Sequence, residues 1–377
     1  MLELVFLLAL SIFLGAYLGY YLYIRKYVGK PWDIRVDEGF EPEISILIPV
    51  HNEEANIEAK LENLGNVLYP KEKMEIIVAD DASEDSTVDK VEGFMRRRSD
   101  LTIKLVRQNP RAGKSAALNK ALQVSTKPIV VVSDADTRWP PDILRKALPF
   151  LADPKVGAVT GRGVNVNVGE SWVTKAEESY LKLANFVRLG ESKIHSTIRF
   201  EGGFCAYKRD AFDAFDCETG SDDSGTALKV VLNGYRSILV PEAVFYTSFP
   251  SSLSVKFKIK LRRANQLIGL WIKCLRLMVK GKLSLPKRIA LPETFLFIFN
   301  PVVFLILTAS GIALVIMNSL SPFSLAIVFS VLGLLVLARR VFVEFLVDNV
   351  ILACGLLSYL FGRRYIAWKR QVSNRCY

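Results

Sequence analysis

Histidine is almost absent from this 377-residue chain, which has only His51 and His195, and its five cysteines (Cys205, Cys217, Cys274, Cys354, Cys376) form no CxxC pair. A Cys/His zinc site therefore has almost no material, and a disulfide scaffold is excluded. Acid is missing from one whole stretch: residues 251–290 carry eleven Lys and Arg and no Asp or Glu. Two nucleotide signatures are also missing. Gly113-Lys114-Ser115 has the tail of a P-loop, but position 108, where that motif needs its first glycine, is Gln, and Gly161-Arg162-Gly163 lacks the third glycine of a dinucleotide fingerprint. Neither an ATPase nor a simple dehydrogenase is supported.

What the chain has in excess is apolar sequence. Apolar residues make up 51% of it and mean hydropathy is +0.26, high for a purely water-soluble chain. The excess lies at the ends, while residues 40–260 read as an ordinary globular sequence. Residues 2–24 contain one charge, Glu3, and at 1.5 Å per residue can cross a hydrocarbon core of roughly 30 Å. A cleaved signal peptide would need a basic start and a small-x-small site, and neither is present. Arg25, Lys26 and Lys30 follow the run, so the positive-inside bias places the following residues in the cytoplasm and the N-terminus outside.

Near the other end, residues 291–317 and 323–338 are apolar runs joined by Asn318-Ser319-Leu320-Ser321-Pro322 and followed by Arg339-Arg340. They predict a helical hairpin returning to the cytoplasm. Residues 341–361 form a third run, with Arg363, Arg364, Lys369 and Arg370 beyond it. If that run spans after such a hairpin, those charges lie outside, against the rule; a tilted interfacial or re-entrant segment is the alternative. Glu344 and Asp348 share one face of it, and carboxylates at that depth are costly unless they face protein or water.

Residues 255–282 have a different pattern. Phe257, Leu261, Ala264, Ile268, Trp271, Leu275 and Val279 recur at helical spacing, with Lys256, Lys260, Arg263, Lys273, Arg276 and Lys280 on other faces. The pattern predicts a helix along the headgroups of the cytoplasmic leaflet, with Arg262-Arg263 at the mouth of the central domain's site. A core-facing helix with solvated lysines is the alternative. Nucleic-acid binding would leave the apolar runs unexplained, so no nucleic-acid partner is expected.

Between 44 and 246, β-rich runs (44–49, 74–80, 102–106, 128–134, 156–161) alternate with helical stretches (53–66, 84–98, 113–124). Several runs are apolar throughout, as strands buried on both faces should be. An α/β fold with a doubly wound, mainly parallel sheet follows, with ligands expected beyond the carboxyl ends of the strands. His51-Asn52-Glu53, Asp80-Asp81 and Asp134-Ala135-Asp136 fall at those ends. Asp134 and Asp136, one residue apart, can offer oxygens to one hard divalent cation that also holds a diphosphate, although such a pair alone is more often a solvated turn. Asp222-Asp223 opens a helical stretch, where capping would explain one of the two acids. Lys114 begins a helix, within reach of phosphate oxygens.

Taken in order, ISILIPVHNEEANI, IIVADDASEDST, NPRAGKSAALNKAL, VVVSDADT, EGGFCAYKRDAF, SDDSGTALKVVLNGYRSILVPEAVFYT and KIKLRRANQ resemble the family 2 glycosyltransferases, over about residues 43–266. The resemblance implies the GT-A nucleotide-sugar-binding fold and a metal-dependent inverting transferase. Pro49, Asn52 and Glu53 would border the nucleotide, and Asp81, with Asp80, would read a uracil edge. Lys114 and Asp134 would position the diphosphate, and Asp136 would bind Mg2+ or Mn2+. Glu201, Gly202, Gly203 and Phe204 match the acceptor-side loop, and Asp223, preceded by Asp222, matches the general base. Arg262 and Arg263 would neutralise the leaving diphosphate. The chain departs from processive members where QxxRW is usual: the window is Ile259-Lys260-Leu261-Arg262-Arg263-Ala264. That departure weakens a polymer-channel reading. The expected organisation is an anchor (1–25), a cytoplasmic catalytic domain (43–250), a basic interfacial region (251–290), C-terminal transmembrane helices (291–362) and a basic tail (363–377). The expected donor is a UDP-sugar. The expected acceptor is a membrane lipid or lipid-linked glycan, with a polysaccharide synthase and a non-catalytic scaffold as alternatives.

Overall fold

The computed structural model describes residues 1–365 and the backbone course of every predicted strand. Strands β1 (Ile44–Val50), β2 (Met74–Asp81), β3 (Thr102–Gln108), β4 (Ile129–Val132), β5 (Val156–Asn165), β6 (Cys205–Lys208) and β7 (Arg236–Thr247) form one sheet in the order β3-β2-β1-β4-β6-β5-β7. β6 alone runs against its neighbours; the β1–β2, β1–β4, β2–β3 and β5–β7 pairs are parallel. Sequence reasoning reached the first five strands and passed over β6 and β7. β6 is only four residues, CAYK, and β7 carries Pro241 and Glu242 within its run.

The apolar runs are buried on both faces because helices cover both. One face packs α2 (Ile57–Gly65), α3 (Thr87–Arg97) and α5 (Ile143–Ala147) through Leu61, Leu64, Phe94 and Leu144. The other packs α4 (Lys114–Val124) and α7 (Asp222–Leu232) through Leu118, Ala121, Leu228 and Val231. Where β2 must bury an acid it satisfies it. Glu75 accepts from Ser45 Oγ (2.6 Å), the Thr126 amide (2.7 Å) and Lys104 Nζ (2.7 Å). Burial alone would raise its carboxyl, but these donors hold it down at about 2.

The long helix α8 (Leu253–Val279) buries part of the basic stretch 255–282 against protein. Leu270, Trp271 and Cys274 belong to the second core. Lys256 and Lys260 are both buried in its first half, while Val279 of the predicted stripe is 81% exposed. Helices α6 (Trp172–Ile194) and α12 (Arg339–Leu360) bring carboxylates to those lysines. Lys260 Nζ lies 2.9 Å from Glu177, 2.7 Å from Asp348 and 3.2 Å from Glu344, and Lys256 also pairs with Glu344. Lys273 meets Glu218 at 2.7 Å and Asp216 at 3.5 Å. Part of the charge excess in this sequence window is therefore met by acids distant in the chain. Glu344 and Asp348 face protein, where Lys256 and Lys260 pair with them.

α1 (Leu2–Val28) is the first apolar helix; α9 (Lys287–Thr294) runs on through a π-helical turn into α10 (Asn300–Met317), and α11 (Pro322–Leu337) precedes α12. Three of these segments, Leu2–Val28, Lys287–Met317 and Val341–Leu360, are long and apolar enough to cross a membrane. Phe304 packs on Phe13 and Gly311 against Phe6, so α10 runs antiparallel to α1. Phe345 packs on Phe13 and Tyr17, and Tyr17 donates to Asn349 (3.1 Å). From there α12 runs alongside α8, with Gly355 against Ala264 and Tyr359 against Gly269. The expected hairpin is corrected accordingly: the return toward the central domain is made by α12, and α11, which starts beside Phe6 through Phe323, is a connecting leg. Arg363 follows α12 at the face of α8, where its carbonyl accepts from Asn265 Nδ2 (3.1 Å). Residues 366–377, with Lys369, Arg370 and most of the predicted tail, lie outside the described residues.

Candidate active site

The carboxyl ends of β1, β2 and β4 put three polar turns side by side. After β1, Asn52 adopts a left-handed conformation (φ 55°), tolerated by Asn because its short amide bonds locally. Its Oδ1 accepts the Glu84 amide (2.8 Å) and its own amide donates to Ser83 Oγ (2.9 Å), so the β1 and β2 turns are tied together. Pro49 is in β1 beside Ala79, and Glu53 is buried, accepting from Asn56 Nδ2 (2.7 Å).

At the end of β2, Asp80 and Asp81 are both buried. Asp80 accepts the Ser83 amide (3.2 Å), closing the turn. Asp81 accepts the amides of Ala112 (2.8 Å) and Gly113 (2.9 Å) as well as Gln108 Nε2. It thereby fixes the loop that launches α4. Gly113 sits at φ 95°, which an L side chain rarely adopts, and Lys114 is the next residue.

Lys114 is the hub. Its Nζ lies 2.8 Å from Asp134 Oδ1 and 3.1 Å from Asp222 Oδ2, joining the end of β4 to the start of α7. Burial would lower the ammonium, but Asp134, Asp222 and Asp223 outweigh it and hold it well above its ordinary value. Asp134 is kept below its ordinary value despite burial, chiefly by Lys114, with help from Lys60 and Arg263. Arg263 on α8 is thus close enough to act on the site electrostatically, and Arg262 precedes it on the same helix.

Asp134 and Asp136 supply hard oxygen donors one residue apart. Among the described residues no set of three or more acidic, His or Cys side chains forms a metal cage. The donor set suits a cation that completes its shell with diphosphate oxygens and water. Gly202 leaves the room this needs: a Cβ there would stand 2.7 Å from Lys114 Nζ and 2.9 Å from Asp134 Oδ2. The Gly202 carbonyl accepts the Asp134 amide (3.1 Å).

Asp223 lies in the first turn of α7. Both of its side-chain hydrogen bonds, from Ser221 Oγ (2.9 Å) and the Ser224 amide (2.7 Å), go to Oδ1. Oδ2 takes part in none of the side-chain hydrogen bonds found among the described residues. Burial and the neighbouring Asp222 push this carboxyl up to about 6, against the pull of Lys114. A half-buried carboxylate with one oxygen to spare and a pKa near neutrality has the properties of a general base.

The loop of Glu201, Gly202, Gly203 and Phe204, expected on the acceptor side, is held by its protein neighbours. Glu201 faces its surroundings, with Oε1 2.7 Å from Arg188 Nη2 and Oε2 accepting the Gly163 amide (3.2 Å). Gly203 is needed for a different reason than close approach to a sugar: a Cβ there would stand 2.1 Å from the Phe245 ring. Phe204 is fully buried and packs edge-on against Trp139 (centroids 5.0 Å apart), so its side chain supports the loop from beneath. Sequence reasoning missed Lys60, fully buried, whose Nζ donates to the Thr137 carbonyl (3.1 Å) and lies over Trp139, steadying the turn after Asp136. It also missed Arg188. A lone Lys or Arg on a helix carries no signal of such a partner.

Residues 45–215 match the family profile described as Glycosyl transferase family 2. In overall structure the chain is similar to a mannosyltransferase from Pyrobaculum calidifontis solved in complex with GDP-Man and Mn2+: 29% identity, TM-score 0.84, covering 97% of this chain and all of that one. It is also 28% identical over 61% of its length to a probable glycosyltransferase of Bacillus subtilis, and 29% identical over 55% to a beta-monoglucosyldiacylglycerol synthase of Trichormus variabilis. It spans 56% and 44% of those two proteins, about half their length.

Proposed function

The chain carries a family 2 glycosyltransferase domain, and from that premise we propose a membrane-integral, metal-dependent, inverting transferase that moves one sugar from a nucleoside-diphosphate donor to a membrane-associated acceptor. The observation that carries the reading is the Lys114 bridge, which sets the Asp134-Ala135-Asp136 turn beside a base, Asp223, whose carboxyl titrates near 6. Asp223 takes the proton of the acceptor hydroxyl through Oδ2 as that oxygen bonds to the anomeric carbon. The bond from that carbon to the diphosphate oxygen breaks, and the nucleoside diphosphate leaves with the electron pair, so one displacement inverts the configuration. Asp136 and Asp134 would hold Mg2+ or Mn2+, which supplies charge neutralisation for the diphosphate when bound. Lys114, Arg262 and Arg263 add positive charge on the same side. Pro49, Asn52, Glu53, Asp80 and Asp81 frame the base and ribose pocket. GDP-mannose becomes the first donor to try in place of the expected UDP-sugar, because the full-length neighbour is a mannosyltransferase solved with GDP-Man. A UDP-sugar and a glycolipid product form the second reading, favoured by the likeness to a glucosyldiacylglycerol synthase.

The helix directions support a three-span membrane arrangement. With α1 entering the cytoplasm, antiparallel α10 leaves it and α12 returns, so Arg363 and Arg364 lie on the same side as Arg25 and Lys26. At about 24 Å, α11 is shorter than the hydrocarbon core and connects the second and third spans. The full chain in nanodiscs, given GDP-mannose and a panel of UDP-sugars with Mn2+ or Mg2+, tests the reading by release of nucleoside diphosphate and mass spectrometry of products. Metal-dependent turnover that Asp223→Asn reduces about 10²–10⁴-fold, with donor affinity kept, is the expected result. Nucleotide binding without turnover would favour a scaffold, and a ladder of sugar additions a polymer synthase.

A further inference from the structure

Helix α6 starts at a capping box: Ser171 Oγ accepts the Thr174 amide (3.2 Å) and Thr174 Oγ1 accepts the Ser171 amide (3.2 Å), which fixes Trp172 in the first turn. From there one face is buried and another is bare. Val173, Ala176 and Glu177 turn inward, while Trp172 is 45% and Leu183 52% exposed, with Lys175, Ser179 and Lys182 open between them. Trp172, Lys175, Ser179 and Lys182-Leu183 recur at three- and four-residue spacing, so the bare residues form one stripe along the helix. A single exposed leucine on a soluble surface would mean nothing. The neighbours of this stripe are what give it meaning.

α6 is tied to two of the segments long enough to cross a membrane. Toward its carboxyl end Phe186 stacks on Tyr21 of α1 (centroids 5.1 Å apart), Gly190 admits Ile24, whose Cγ2 a Cβ would meet at 2.4 Å, and Glu191 accepts from Tyr20 Oη (2.7 Å). Toward its amino end Glu177 pairs with Lys260 (2.9 Å), and Lys260 with Asp348 of α12 (2.7 Å), next to the Asn349 that bonds Tyr17. Tyr17 precedes Arg25 by about 12 Å along α1, at 1.5 Å per residue. With Arg25 and Lys26 among the headgroups, that depth is the boundary between headgroups and acyl chains. The Lys260 bridge carries Glu177, and with it the amino half of α6, toward the same depth. The last turns of the helix hold the segment ahead of β6, since Thr197 Oγ1 donates to Glu191 (2.6 Å) and Arg188 pairs with Glu201 (2.7 Å). One helix thus joins the bare stripe to the loop expected on the acceptor side.

We propose, resting on the membrane-integral reading above, that the Trp172-to-Leu183 stripe of α6 is a lipid-contacting surface, lying in the cytoplasmic leaflet at the boundary between headgroups and acyl chains, in addition to the three spans. Its partner is the bilayer. Two features favour lipid over a second copy of the chain. The stripe is continuous with the first span, through Phe186 and Tyr21. Its composition suits an interface: the tryptophan ring has an apolar body and a polar edge, and Lys175 and Lys182 can lay their stems along acyl chains while their ammonium groups stay among the headgroups. A second copy docked on the same stripe about a two-fold axis would instead set those lysines against their own counterparts.

The test reads tryptophan fluorescence of the full chain in nanodiscs, taking Trp172 as the difference between the parent and Trp172→Phe so that the other tryptophans drop out. Trp172 should lose intensity to phosphatidylcholine brominated near the headgroup end of its acyl chains, more than to lipid brominated near the tails, and should be shielded from aqueous iodide. Leu183→Trp, read against the parent, should gain a signal that behaves alike, and it does not depend on how Trp172→Phe folds. Quenching by iodide and by neither lipid makes the stripe a solvated face and overturns the proposal. Quenching by none of the three means that protein covers it, and overturns it as well. Stronger quenching by the tail-brominated lipid would sink the stripe into the hydrocarbon core and overturns the boundary assignment. Leu8→Trp on α1 separates these failures from failure of the membrane-integral reading. Leu8 is 59% exposed within the first span, so a tryptophan there should be quenched by the tail-brominated lipid. If it is quenched by neither lipid, the membrane-integral reading fails first; if it is quenched while Trp172 and the Leu183→Trp signal are not, the α6 surface alone is wrong.

Discussion

Two lysines in this molecule sit among carboxylates in much the same way and do different things. Lys114 bridges Asp134 and Asp222 at the strand ends; Lys260 bridges Glu177, Glu344 and Asp348 where α6, α8 and α12 meet. What separates them is access. Asp134 and Lys114 keep 33% and 28% of their side-chain surface, whereas Lys260 and Glu344 keep 8%. The first cluster can exchange a carboxylate partner for a phosphate oxygen. The second, with Lys260 and Glu344 at 8% and only Asp348 more open at 21%, ties helices together, since a buried ion stripped of its partner is costly. A lysine between acids therefore does not identify a site until exposure is known.

The comparison is most strongly tested by removing charge from each cluster. At the strand ends, Asp136→Ala should abolish metal-stimulated turnover, leaving a folded protein whose thermal unfolding midpoint changes little. Isothermal titration of Mn2+ in the presence of nucleoside diphosphate reads the lost affinity directly. Unchanged Mn2+ binding in that variant would remove Asp136 from its role. At the helical junction the signs reverse: Lys260→Met should destabilise by about 3–5 kcal/mol, seen as a lower unfolding midpoint in detergent, while the folded fraction retains its donor KM. If Lys260→Met instead abolished donor binding and left the midpoint alone, the distinction between the clusters would collapse.

How much of this was readable from the sequence follows the same division. The positions of Asn52, Asp81 and Asp134 at strand ends and of Lys114 and Asp223 at helix starts were legible because period, apolar runs and short acidic motifs are local. The orientation of Phe204 was not found, because a residue two past a glycine can point either way until its partner, Trp139, is known. In the basic stretch 251–290 the pairing of Lys256, Lys260 and Lys273 was not readable, for a physical reason. Its counter-charges, Glu177, Asp216, Glu218, Glu344 and Asp348, lie tens of residues away in the chain, and no window contains them. β6 and β7 were missed because a four-residue strand and a strand broken by Pro241 carry little periodicity.

A smaller effect is expected away from both clusters. Glu75 is buried and its carboxyl is held at about 2 by Lys104, Ser45 and Thr126. Its folded value lies below its unfolded one, so the stability it contributes is fully present above about pH 4.5 and is lost as pH falls toward 2. Glu75→Gln keeps the shape, loses the ion pair with Lys104, and should cost about 1–3 kcal/mol at pH 7. The difference from the parent should narrow as the pH is lowered through that window. A penalty constant from pH 7 to pH 3 would show that packing, and not charge, sets its contribution.

The smallest effect is a displacement of a titration curve, and it tests the Lys114 hub without abolishing it. Asp223 must be deprotonated to accept the acceptor's proton, so kcat should rise with pH through an acid limb near 6, where its carboxyl titrates. Two neighbours pull that value in opposite directions: Asp222 raises it by like charge and Lys114 lowers it by opposite charge. Asp222→Asn should therefore move the acid limb to lower pH, and Lys114→Met to higher pH. Lys114→Met will also lose diphosphate affinity, so the limb is to be read on kcat at saturating donor, where binding drops out. A limb that stayed put in both variants would assign it to a group other than Asp223. Opposite shifts would tie the base, the bridge and the Asp134 turn into one electrostatic unit, and no equivalent pair at Lys260 should move that limb.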